Sequence, residues 1–389
     1  MPTPTQVSPA PSQAQSATPP RARIWGDKGV SERFIVQDQQ MIPSPAIQQL
    51  VLADAGLLSE LQHHLYGTLS ITTGTALDFY GPYNIYQVYN FFAGSNTPLV
   101  SVSGRALGFL QAIEFPFTNN ETNADVASLL DPLTNASDVF SAPTASSATI
   151  FRNWVRVPLA LKLAGVRGGY VGYITLQNKR IANVVKPIFA LTGTSPYSIV
   201  HAAGTNNGSV PYQGATAVTL ASPTMETWKL LNTIPRMRSQ MPLFGFTRYI
   251  TEVQQAYAAG SFTYNFEPGG ELLRAMFQFQ DATTSGIAMA TANLQFITFQ
   301  YGTNKQMDVY TPFRNIQEQE QTYGRNLGQG VFIFDYYTKN RTLVNTKSTE
   351  NTANVQVVAT FATAYTPPAN SIANVMLDKV FVVQNYLGK

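Results

Sequence analysis

The 389-residue chain contains no cysteine, so disulfides and thiolate metal centres are excluded and its redox compartment cannot be read. Charge is also scarce, at 12% Asp, Glu, Lys and Arg against roughly a quarter in an ordinary soluble domain. A chain this poor in charge either buries much of its surface against other chains or carries a neutral surface of Asn, Gln, Ser and Thr. Composition alone leaves both open. No apolar run approaches the ~18 residues of a membrane span, and the N-terminus lacks the basic and apolar regions of a secretory signal. The net charge of +3 comes with no basic stripe interleaved with aromatics, so sequence-specific nucleic-acid binding is not expected.

The motifs of common enzyme chemistry are missing too. There is no GxxxxGK[ST] phosphate loop, and the glycine-rich Gly165 to Gly172 lies between strand-like segments and reads as a hairpin turn. No Asp-x-Asp-x-Asp-Gly calcium loop occurs. Of the three histidines, His63 and His64 are adjacent and cannot share a metal on a helix. His201 falls in a Gly/Asn-rich loop with no partners for a triad. A glycosidase would need two facing carboxylates, and Glu267, Glu271 and Asp281 have no spacing that brings them together. Trp154 reads as core, and Trp25 and Trp228 as edge packing. No catalytic, metal or cofactor residues are therefore assigned, and the chain is not expected to be an enzyme.

What the chain does contain is a long succession of short strands. Residues 1–24 are rich in Pro, Ser, Gln and Ala, with Arg21 and Arg23 near the end, and read as a flexible arm. Pro45 to Leu65 has a helical apolar spacing with Ser44 as N-cap. Strands are expected at Gly67 to Thr75, Tyr83 to Phe92, Leu99 onward through Arg105 to Leu110, Thr149 to Ala160, Tyr170 to Leu176, Asn183 to Leu191 and Ala215 to Leu220. A short helix is expected at Asp125 to Leu130. Met225 to Ile234 then bridges to a second run, with strands at Phe244 to Ile250, Phe262 to Phe266, Leu273 to Phe279, Leu294 to Gln300, Val331 to Tyr337, Val355 to Thr363 and Val375 to Val383. Within this run Pro312 to Thr322 reads as a helix, with Thr311 as N-cap and Gly324 as stop. Strands, a short helix and more strands thus occur twice, without sequence identity between the halves. Such spacing predicts β-sandwiches.

Four stretches carry a family resemblance, in order. Tyr80-Gly81-Pro82-Tyr83-Asn84-Ile85 followed by Ser103-Gly104 resembles the second and third strands of the major capsid protein of tectivirus-like, membrane-containing icosahedral bacteriophages. The short helix at Asp125 to Leu130 lies where that family has one. Trp154-Val155-Arg156-Val157-Pro158-Leu159-Ala160 resembles its Trp-Val-Pro-Leu-Ala strand, with Arg156 inserted. The helix Pro312 to Thr322 leading to Gln329-Gly330-Val331-Phe332 is similar to its helix and Lys-Gly-Val-Tyr-Tyr segment, with Gln329 where the family has Lys.

The resemblance implies a mainly β double jelly roll: two eight-stranded sandwiches side by side with a few short helices. The expected divisions are an N-terminal extended arm over 1–43, an N-terminal helix and first jelly roll over 44–235, and a second jelly roll over 236–389. It implies a structural protein of the virion. Homotrimers would form pseudo-hexagonal capsomers and contact neighbouring capsomers, vertex or penton proteins and minor capsid proteins. The shell would be assembled in the host cytoplasm around an internal lipid membrane. Arg21 and Arg23 are the candidate contacts to that membrane or to a neighbouring chain, each basic residue contributing about 1 kcal/mol near an anionic lipid surface. The alternative reading is a β-sandwich spike or lectin-like protein that binds a receptor or glycan.

Overall fold

The structure, a computed structural model, describes residues 32–40, 48–49, 57–71, 76–77, 83, 86–93, 97–114, 148–162, 170–171, 174–175, 186–191, 198–199, 212–213, 218–232, 246–281, 288–301, 305–324, 326–339, 341, 343, 345–349 and 355–382. The helix expected at Asp125 to Leu130 lies outside them, as do Arg21, Arg23, Trp25 and His201.

Eight strands build the first half: β1 (Glu32–Gln40), β2 (Gln48–Gln49), β3 (Leu57–Ile71), β4 (Tyr86–Phe92), β5 (Pro98–Val102), β6 (Ala148–Pro158), β7 (Lys186–Leu191) and β8 (Val218–Asn232). Helix α1 (Gly104–Glu114) lies between β5 and β6. Eight more build the second half: β9 (Phe246–Ala256), β10 (Ser261–Asn265), β11 (Glu271–Gln280), β12 (Leu294–Tyr301), β13 (Lys305–Tyr310), β14 (Val331–Asp335), β15 (Val355–Phe361) and β16 (Ile372–Val382). Helix α2 (Pro312–Tyr323) lies between β13 and β14. Further two-residue strands pair at the margins.

The strand orders repeat. In the first half the sheets run β1-β8-β3-β6 and β2-β7-β4-β5, and in the second β9-β16-β11-β14 and β10-β15-β12-β13. Adding eight to each number of the first pair gives the second. Each half is an eight-stranded jelly roll. The rolls share one sheet, because β5 pairs in parallel with β9 through Val100 with Ile250 and Ser101 with Thr251. That junction joins four strands of the first roll to four of the second.

The second roll is filled by aromatics. On β11, Phe277 and Phe279 point inward beside Phe262, Phe332, Phe334 and Phe361. Phe279 meets Phe262 edge to face at 5.4 Å and Phe361 at 5.6 Å, the geometry ring quadrupoles favour. The opposite face of the same sheet is not solvated. Ile250, Met276, Ile333 and Met376 belong to a second cluster with α1 and the core of the first roll. A sheet buried on both faces explains why β11 is buried along almost its whole length.

Three expectations are corrected. Where it is described, the span Pro45 to Leu65 is strand and not the expected helix. Gln48–Gln49 is strand, and Leu57–Ile71 is a strand paired on both sides, by β8 and β6. The inward residues are Leu61, His63 and Leu65, a period of two disguised by a polar residue at its centre. Arg105 to Leu110 is not a strand but part of α1. All eleven of its residues are buried, so it has no solvated face to betray a helical period. The strand expected to stop at Leu220 continues to Asn232. Pro223 sits where the register with β3 shifts between Ala221 and Thr224, a bulge that tolerates a residue unable to donate to the ladder. The segment expected as an arm contributes β1, which pairs with β8 from Glu32 to Gln40.

Candidate functional site

The most concentrated polar chemistry among the described residues lies between the rolls. It is built from the last residue of α1 and from three neighbouring strands of the second roll. Glu114 reaches Arg248 on β9 and Arg274 on β11. Asp378 on β16 takes Arg248 in a two-pronged pair, Nε to Oδ1 at 2.8 Å and Nη2 to Oδ2 at 2.6 Å. Arg274 also lies 3.0 Å from the Asp378 carboxylate, and its guanidinium sits over the Tyr337 ring at 5.4 Å from the centroid, a cation–π contact. All four charged side chains are buried.

Two acids are matched by two guanidiniums, so the cluster is internally neutral. Burial by itself would raise the Glu114 pKa, but Arg274 and Arg248 outweigh it and hold the carboxyl well below the usual range. Burial would likewise lower Arg248 and Arg274, and the facing carboxylates Asp378 and Glu114 raise both instead. With Glu114, Arg248 and Arg274 held in their charged forms and away from water, none of the three is available as an acid, base or nucleophile. The arrangement positions the two rolls relative to each other. A second tie stands at the other end of α1. Ser103 accepts from the Ala106 N–H through its hydroxyl at 3.3 Å, as an N-cap does, and its own N–H donates to Glu252 on β9 at 2.7 Å.

Each helix also closes the open edge of its roll. β6 and β14 are edge strands of their roll's sheet, and an open edge presents unpaired backbone groups. The Gln111 amide on α1 donates to the Arg156 carbonyl at 2.6 Å and accepts from the Arg156 N–H at 2.9 Å. On α2, Asn315 donates to the Ile333 carbonyl at 3.2 Å and Gln319 to the Val331 carbonyl at 3.0 Å, while Gln319 accepts from the Leu327 N–H at 2.9 Å. Side-chain amides thus replace the missing ninth strand in both halves.

Glycines set the close approaches. A side chain at Gly104 would overlap the carbonyl oxygens of Tyr83 and Tyr86. Gly330, at φ +66°, would place a Cβ 2.8 Å from the Phe279 and Met289 carbonyls. Both glycines belong to stretches singled out in the sequence, Ser103-Gly104 and Gln329-Gly330-Val331.

The residues weighed for catalysis do not converge. Glu271 opens β11 and Asp281 follows its last residue, so at ~3.3 Å per residue they stand roughly 30 Å apart, far beyond the reach of a carboxylate pair. Asp281 accepts from Tyr365 and Tyr257, and Glu267 is exposed. His63 and His64 share a strand rather than a helix, and neighbouring strand residues point to opposite faces, so the conclusion that they cannot share a metal stands on a different ground. His63 is spent in the core of the first roll, Nδ1 on the Thr227 hydroxyl and Nε2 on Tyr89 Oη, each at 2.9 Å. Among the described residues no three His, Asp or Glu side chains gather at metal-binding distance, and no helix is long and apolar enough to cross a membrane.

Sequence reasoning missed the four-charge cluster. Its one signal is charge inside apolar strands, Arg274 in Leu272-Leu273-Arg274-Ala275-Met276 and Asp378 in Val375-Met376-Leu377-Asp378-Lys379-Val380. Such residues are almost never buried unless paired.

This fold occurs in solved viral structures. The chain aligns with one in the atomic structure of Sulfolobus Turreted Icosahedral Virus over 92% of each, with TM-score 0.59 and 13% identity. It aligns with a chain of the PBCV-1 virus capsid over 90% of this chain and 94% of that one, with TM-score 0.56 and 13% identity. It aligns with the Faustovirus major capsid protein over 91% of each, with TM-score 0.50 and 7% identity. No protein-family model matches the sequence, and no curated protein does. At such identities the likeness is one of fold, a double jelly roll along nearly the whole chain.

Proposed function

We propose that the chain is the major capsid protein of an icosahedral virus, a non-enzymatic building block whose three copies close into a pseudo-hexagonal capsomer. The observation that carries this reading is the repeated strand order of two rolls fused through one sheet. Two near-equivalent bodies per chain give three chains six near-equivalent sides, and such capsomers tile a closed surface. The nearly full-length likeness to chains described as viral capsid proteins supports the same reading. So does the scarcity of charge, because charged residues are depleted from the cores of interfaces.

The finer parts of the proposal follow the sequence resemblance. The virus is a bacteriophage with an internal lipid membrane, the shell is assembled in the host cytoplasm, and vertex and minor capsid proteins complete it. Arg21 and Arg23 contact the anionic membrane surface or a neighbouring chain. Replacing both by Gln is expected to weaken retention of lipid by disrupted particles, and unchanged retention would remove the two arginines from the account.

The first test is the solution mass by light scattering on a sizing column. A stable species of three times the 42.5 kDa chain mass is expected. A monodisperse monomer at micromolar concentration would overturn the capsomer and turn attention to glycan binding.

A further inference from the structure

The two helices occupy equivalent positions to the residue. Each follows the fifth strand of its roll, and each packs against the fourth, fifth and sixth: α1 on β4, β5 and β6, α2 on β12, β13 and β14. Their N-caps are Ser103 and Thr311. The glutamine that closes the sheet edge lies eight positions after the cap in both, Gln111 and Gln319. Residues of α1 therefore correspond to residues of α2 at a constant offset.

Their surroundings differ on the side away from their own roll. That side of α1 is covered by the second roll of the same chain, through Ser103 with Glu252 and Glu114 with Arg248 and Arg274. Among the described residues nothing in the chain covers α2 there, and Phe313, Gln317, Glu320 and Gln321 are exposed. Among the described residues only three large apolar side chains are exposed, and two lie here, Phe313 at 71% and Val309 at 38%. By the offset, Val309 corresponds to Ser101, which sits in the parallel bridge to β9. Phe313 corresponds to Arg105, which is buried. Val309 thus stands at a position that the first roll uses to meet the second, and Phe313 at one that the first roll buries. The strands that would meet are open as well. β13 and β1 each end their sheet, as the counterparts of the joined β5 and β9.

We propose that the outer face of α2, centred on Phe313 and Val309, docks on the first roll of a second copy of this chain and repeats between chains the contact that α1 makes within one. The contact is head-to-tail, and in the three-chain capsomer proposed above it closes after three chains. The proposal rests on the three-chain capsomer and adds which face of which helix makes its seam.

Two measurements on the full chain test it. Val309→Asp with Phe313→Asp changes only exposed positions. It is expected to shift the sizing-column mass threefold, from the trimer to the 42.5 kDa chain, with circular dichroism unchanged and a cooperative melt retained. A photo-crosslinking p-benzoylphenylalanine at position 313 is expected to join that segment to peptides within residues 32–232 of another copy. A trimer that survives the double substitution, or crosslinks that fall within residues 246–382, would overturn the proposed seam while leaving the capsomer standing. A wild-type chain that is itself monomeric would overturn both.

Discussion

Lowering the pH from 7 to 5 is expected to cost the first roll about 2 kcal/mol through the linkage of one buried ring to folding. His63 lies between the two sheets, with one ring nitrogen on Thr227 and the other on Tyr89. A neutral imidazole satisfies both hydroxyls with one donor and one acceptor. Burial depresses its pKa from 6.5 to about 3. The unfolded chain therefore binds a proton at a pH where the folded one does not. Stability from this group is complete above pH 6.5 and falls as pH drops toward 3, by up to ~1.4 kcal/mol per unit. Urea unfolding at pH 7 and at pH 5 measures the loss. Trp154 lies on β6 and Trp228 on β8, so tryptophan fluorescence in a Trp25→Phe background reports the first roll. His63→Gln removes the titration while keeping a donor and an acceptor at the site. At fixed chain concentration the wild type should lose about 2 kcal/mol more than the variant over this interval, with carboxylate contributions cancelling in the difference. Equal losses would refute the reasoning.

Glu114→Gln leaves two buried guanidiniums facing Asp378 alone, and thermal unfolding at neutral pH should show a loss of about 3–5 kcal/mol, the usual cost of breaking a buried pair. Gly104→Ala forces a methyl into the Tyr83 and Tyr86 carbonyls, which are backbone atoms and cannot swing away. Its cost should reach or exceed the ~1–3 kcal/mol of ordinary overpacking, seen as a lower melting temperature or loss of soluble protein. Gln319→Leu removes the amide's bonds to the Val331 carbonyl and the Leu327 N–H, and a loss of about 1–3 kcal/mol is expected. The exposed Gln321→Ala on the same helix should stay within ~0.5 kcal/mol in the same denaturant series.

Much of the second roll was legible because its elements carry their own punctuation. Thr311, Pro312 and Gly324 mark the ends of α2, and the Thr311 hydroxyl does accept from the Arg314 N–H, while Gly324 adopts the left-handed stop at φ 72°. Val331-Phe332-Ile333-Phe334 alternates between two buried faces and reads as a strand from its β-branched and aromatic content. The first roll was harder for physical reasons. α1 has a cap, Ser103, but Gly104 and Gly108 lower its propensity and burial on every side erases its period. β3 hides its inward stripe behind His63. β8 crosses Pro223 through a bulge that only the partner strand reveals. The charge cluster was invisible because its four members come from α1, β9, β11 and β16, up to 264 positions apart by their numbers. No local pattern joins them.

The contrast between the helices also explains why the halves repeat an order of elements without repeating a sequence. The edge of each roll sets one demand on its helix, a cap at the start and an amide eight residues on, and both helices meet it. The other side sets a second demand that differs. α1, Gly104 to Glu114, is covered within its own chain as it folds, so it can be buried on every side and end on a carboxylate that is neutralised at once by Arg248 and Arg274. On the docking proposed above α2 stays soluble until another chain arrives, and it carries Gln317, Glu320 and Gln321 outward with Phe313 beside Val309 as its exposed apolar surface. A permanent junction tolerates a buried charge cluster because both partners are always present. A junction formed between separate chains would leave such charges bare or desolvate them on docking, at a cost of several kcal/mol per ion. At Glu114's counterpart on α2 stands Thr322, an uncharged residue, and the charges α2 does carry outward, Arg314 and Glu320, are single exposed groups and not a buried cluster.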